Sequence, residues 1–120
     1  YTKESIKFYK KLLSIYPDNA YAQIRVFENT DFEKLSEKEI EKLFLNNLNL
    51  LYKYYNNKNL LILNLNLSDN LKKNEWKEFL KYWLNKKSDK NLIIKELEKY
   101  KKTKDKDLYN LIQLIYKDYK

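Results

Sequence analysis

Apolar side chains recur along most of this chain at spacings of three and four, the period of a helix with one buried face. In the first such stretch, Lys3 to Tyr16, Ile6, Tyr9, Leu12, Leu13 and Tyr16 share one side, while Lys7, Lys10 and Lys11 lie opposite. Thr2 is placed to cap its start. Pro17 ends it, because proline disfavours the α conformation in the residue before it. Asp18 and Asn19 then offer capping oxygens for a second element, Ala20 to Glu28. There Ala22, Ile24 and Val26 alternate with Tyr21, Gln23 and Arg25, a pattern that also suits a strand. The Asn cap favours a short helix.

Ser36 and Glu39 form the S-x-x-E signature of a capping box ahead of an apolar run. Ile40, Leu43, Phe44, Asn47, Leu48, Leu51 and Tyr55 then fall on one face, so the helix is expected to reach about Tyr55. Leu60 to Leu67, LLILNLNL, alternates towards its end like a strand, yet leucine forms helices more readily than strands. A helix is expected. Leu71 to Lys86 follows, capped by Asp69 or Asn70, with Trp76, Phe79, Leu80 and Trp83 inward. Next comes Asp89 to Lys101, capped by Ser88 or Asp89, with Leu92, Ile93, Leu97 and Tyr100 inward. The last, Asp105 to Tyr119, turns Leu108, Leu111, Ile112, Ile115 and Tyr119 inward.

These elements predict an all-α domain over residues 1–120, an antiparallel array of six or seven helices joined by short loops. The alternative is an α+β domain that pairs short strands at 20–28 and 60–67. Alternate helices are expected to begin near Glu4, Glu37, Leu71 and Asp105, about 34 residues apart, which is the period of a helix–turn–helix repeat.

Composition supports the helical choice. The chain has no Gly and one Pro, so tight hairpin turns lack their usual residue and connections must rely on Asn and Asp. It also has no Met, and is therefore expected to be a fragment or a processed product of a longer chain. The absence of Cys and His removes disulfides, thiol nucleophiles, imidazole bases and most zinc chemistry. No Gly-rich phosphate loop can form. Glu39 with Glu41, and Asp105 with Asp107, are two apart and point to different sides of a helix. No enzyme, cofactor, metal or small-molecule substrate is expected. The longest apolar run, Leu60 to Leu67, is too short to span a bilayer.

The net charge of +8 raises the question of nucleic acid. Lys72, Lys73, Lys77, Lys81, Lys86 and Lys87 are the candidate polyanion-binding residues, interleaved with Trp76, Tyr82 and Trp83. Two features weigh against that reading. The tryptophans lie on the helical stripe expected to be core, and Arg25 is the only arginine among 25 basic residues, although Arg is the usual choice for bidentate phosphate recognition.

The segment ESIKFYKKLLSIYPDNAYAQ, residues 4–23, resembles the second helix of a tetratricopeptide repeat running into the next repeat. Ser5, Tyr9, Pro17, Asn19 and Ala20 stand where that family has a small residue, an aromatic, the helix-ending proline, Asn and an alanine-rich start. Leu12, Gln23 and Phe27 depart from the pattern. The resemblance implies a helical-repeat scaffold that binds another protein, with Tyr21, Ile24 and Glu28 on the groove side. The expected function is thus a non-catalytic protein–protein interaction module; the alternative is a basic subunit that binds RNA or DNA.

Overall fold

A computed structural model of the chain describes residues 2–86 and 89–119. Among them are seven α-helices and no strand: α1 Lys3–Ile15, α2 Ala20–Glu28, α3 Glu37–Lys53, α4 Lys58–Asn70, α5 Asn74–Leu84, α6 Lys90–Tyr100 and α7 Lys106–Tyr119. A 3₁₀ turn, Phe32–Lys34, precedes α3. The all-α expectation holds, and the α+β alternative is overturned, since both segments with alternating pattern are helices.

Side-chain oxygens mark the helix starts. Thr2 accepts from the Ser5 amide, Asn19 from Ala22, Asn57 from Asn59 and Leu60, and Asp89 from Asn91 and Leu92. Asp105 accepts from the Asp107 and Leu108 amides in the same way. The Ser36–Glu39 capping box is complete in both directions. Each such bond satisfies an amide that has no partner within its helix, and a cap is worth about 1 kcal/mol.

One cap was misplaced by the sequence reading. Asp69 and Asn70 are the last residues of α4, and α5 starts behind Lys73 without a side-chain cap. Between them the Lys73 amide donates to the Ser68 carbonyl at 2.9 Å and the Lys72 amide to that of Asp69 at 3.1 Å. Lys72 takes φ of 56°, the left-handed region. This is the hydrogen-bond pattern of a Schellman motif, whose left-handed position is usually glycine. A chain with no glycine sets a lysine there, and the helix end leaves no signature in the sequence.

The close helix pairs are α1 with α2, α2 with α4, α3 with α4, α4 with α5, and α6 with α7. α4 therefore sits between three neighbours. Leu60, Leu61, Leu63 and Leu67 are buried on one wide face together with Asn64 and Ser68, while Ile62 lies on the exposed side, which explains why LLILNLNL shows so little helical amphipathicity. Its two buried polar side chains turn back on their own helix: Asn64 Nδ2 donates to the Leu60 carbonyl at 2.9 Å, and Ser68 Oγ to that of Asn64 at 2.7 Å.

Aromatic contacts join α6 and α7 to the rest. Trp76 packs edge-on against Phe44 with centroids 5.2 Å apart, and its indole N–H donates to Asp105 at 2.9 Å. Trp83 donates to the Tyr55 carbonyl, and Phe79 meets the Tyr100 ring edge. Tyr52 donates its hydroxyl to the Asp107 carbonyl at 3.0 Å, linking α3 to the start of α7. The molecule is elongated, 47 × 25 × 21 Å. Alternate helices begin at Lys3, Glu37, Asn74 and Lys106, so their spacing is uneven.

Two inward assignments are corrected. Leu92 is 58% exposed, because α6 buries the stripe of Ile93 and Leu97 instead. Tyr16 is 61% exposed, because it lies past the end of α1. Ser88, the other proposed cap of α6, lies outside the described residues.

Two outcomes follow. Lys72→Gly is expected to raise unfolding free energy by about 1 kcal/mol, since the left-handed conformation costs an L-residue roughly that much; chemical denaturation measures it. Tyr52 is pushed up to about 12 by burial, with the Asp107 and Asp105 charges adding to it. Because the folded value lies above the unfolded value of about 10, its contribution is complete below pH 10 and is lost as pH rises from 10 towards 12. Tyr52→Phe should flatten that decline in a series of thermal melts.

Candidate interaction surface

α1 stands at the edge of the array, closely packed on α2 alone. None of its residues is fully buried. Its apolar face is wider than α2 can cover. Ile6, Tyr9, Leu12 and Leu13 are half-buried, while Phe8 and Ile15 are each 61% exposed. Phe8, Leu12 and Ile15 are spaced four and three apart and so form one stripe. Tyr16 beyond the helix and Tyr21 on α2 are also exposed. Lys3, Lys7, Lys10 and Lys11 share the remaining exposed surface of α1 with Glu4 and Ser14, and none of the four lysines forms an ion pair among the described residues.

The three residues proposed to line a groove have different surroundings. Tyr21 is exposed, with its ring edge against Tyr9 at 5.8 Å and the Arg25 guanidinium 4.7 Å above its face. Glu28 is exposed and bonded to Arg25 at 3.1 Å. Ile24, between them on the same helix face, is half-buried and packs against the core.

The candidate polyanion-binding lysines do not form a uniform patch. Lys72 and Lys81 are exposed. Lys73 lies over the Phe44 ring at 5.2 Å. Lys77 pairs with Asp69 at 2.8 Å, and that hydrogen bond raises its pKa. Lys86 is held most firmly: its ammonium is 3.6 Å from the centre of the Trp83 ring, and it donates to the Tyr119 hydroxyl at 2.6 Å and to Asn56 at 3.3 Å. Lys87 lies outside the described residues. The tryptophans that alternate with these lysines are core, each 1% exposed, so neither can stack on a base.

A cavity of about 240 Å³ opens where α1, α2 and α3 meet. Leu13, Pro17, Val26, Phe27 and Leu43 supply apolar wall, and no charged side chain lines it. Asn47, from the inward stripe of α3, and Gln23 of α2 bring amides to the same space. Sequence reading placed Asn47 on the inward face but drew no site from it; a carboxamide inside an apolar stripe was the available signal.

Lys86→Met is expected to cost about 1–2 kcal/mol, the sum of a partly desolvated cation–π contact and one or two hydrogen bonds. Tryptophan-detected denaturation measures the loss, whereas an unchanged midpoint would show that the ammonium merely rests on the surface.

No family model matches the chain, and neither a curated protein nor a solved structure matches it.

Proposed function

We propose that this domain is a non-catalytic protein–protein interaction module, a helical-repeat-like scaffold whose α1–α2 edge docks an amphipathic helix with acidic flanks. The observation that carries the reading is the stripe of exposed Phe8 and Ile15 on either side of half-buried Leu12, on a helix closely packed on α2 alone. Contiguous exposed apolar surface is costly to maintain and marks interaction sites. The exposed lysines of the same helix support an acidic partner: an apolar ridge fills the stripe while carboxylates beside it meet Lys7 and Lys11. Tyr16 and Tyr21 extend the surface with aromatic area that loses little conformational entropy on binding.

The nucleic-acid reading has less support. It keeps Lys72 and Lys81 as free cations, while Lys73, Lys77 and Lys86 are already engaged within the fold.

Fluorescence anisotropy with labelled amphipathic peptides tests the proposal. A Leu/Glu helix is expected to bind, a Leu/Lys helix of equal apolar content at least tenfold more weakly. Ile15→Glu should weaken the acidic helix at least tenfold and change stability by no more than about 0.5 kcal/mol, because the site is exposed. Equal affinity for both helices would overturn the charge argument. Tight, steeply salt-dependent binding of generic RNA with no peptide binding would favour the runner-up.

A further inference from the structure

We infer that the cavity between α1, α2 and α3 is a subsite for a primary carboxamide, the side chain of a glutamine in a bound polypeptide. Asn47 is 4% exposed and lines the cavity from α3. Gln23 lines it from the facing helix, and its Oε1 is buried without a partner. Buried polar groups are nearly always bonded, and leaving one unpaired costs free energy. The other buried or half-buried polar side chains here are satisfied. Thr30, in the same lining, donates to the Val26 carbonyl at 2.8 Å. The amides of Asn47 and Gln23 thus meet in one space, with the Gln23 Oε1 left unmatched.

The chemistry of the walls selects the ligand. Each amide offers both N–H donors and a carbonyl acceptor, and its terminal torsion is soft enough to present either. The group that complements such a pair is itself an amide, accepting from one N–H while donating to a carbonyl. A carboxylate would bring only acceptors and a charge into a space with no cation to meet it. A hydrocarbon would leave the Gln23 Oε1 unpaired. Leu13, Phe27 and Leu43 suit the two methylenes of glutamine. The volume of about 240 Å³ lies below the range of drug-sized pockets, and so fits one side chain rather than a free cofactor.

The inference rests on the interaction reading above only for the source of the amide, a partner polypeptide. Three capped tripeptides, with Gln, Glu or Leu between alanines, are titrated into the isotope-labelled domain while the side-chain NH₂ resonances of Asn47 and Gln23 are followed. The Gln peptide is expected to shift both resonances, with Glu and Leu at least tenfold weaker. Gln23→Leu, at a half-buried position that tolerates an apolar residue, should lower Gln affinity about tenfold, the value of roughly one hydrogen bond. Equal response to Leu and Gln would overturn the inference, leaving an apolar cleft. So would no shift from any peptide at 20 mM as an upper limit of about millimolar binding, leaving a space that holds water. Binding of the acidic helix at α1 with no response to Gln removes this subsite alone; the reverse removes the helix-docking surface alone.

Discussion

Burial of one wide, leucine-rich face of α4 against three neighbouring helices is the constraint on which the rest of the molecule depends. Leu60, Leu61, Leu63 and Leu67 are buried on a helix that packs against three others, and each fully buried leucine contributes about 1.5–3 kcal/mol. Asn59, Ile62, Asn66 and Asp69 form its exposed stripe, whereas Asn64 and Ser68 fall on the buried side and must be satisfied locally. Asn64 and Ser68 do so by bonding to carbonyls one turn back. The solution is incomplete: Asn64 Oδ1 is buried without a partner. An alanine-rich or leucine-only segment would avoid that cost, and the structure shows no compensating contact for it.

Around this centre, packing falls off towards one edge. α3 and α5 bury large aromatic side chains against their neighbours, with Phe44, Trp76, Phe79 and Trp83 almost fully enclosed. α1 encloses nothing fully and presents hydrophobic side chains outward. Stability and availability are thus separated along the molecule. The edge that contributes least to the core is the one that exposes Phe8 and Ile15, and it is also one wall of the cavity that Gln23 and Asn47 line.

The fold was legible where helix starts are written in oxygen-bearing side chains. Thr2, Asn19, Ser36 and Asp89 each sit one residue before the helix they cap, and the Trp76–Trp83 stripe is buried as its spacing implies. What could not be read were the ends. Pro17 announces one, but Lys72 closes α4 in a left-handed conformation that a sequence reader associates with glycine. The interaction surface was legible only in part. Periodicity placed Leu12 and Tyr16 on an apolar face, yet how much of that face is covered depends on how many helices pack there, a tertiary quantity. Likewise, counting lysines could not show that Lys86 is spent on Trp83, Tyr119 and Asn56, because the last two are brought to it from distant parts of the chain.

Native-state hydrogen exchange resolved by residue tests the separation between a leucine-locked centre and an available edge most directly. The account predicts that amides from Leu61 to Leu67 exchange only through global unfolding, while those of α1 exchange through local openings of much lower free energy. Protection of α1 equal to that of α4, or α4 opening before α6 and α7, would contradict it.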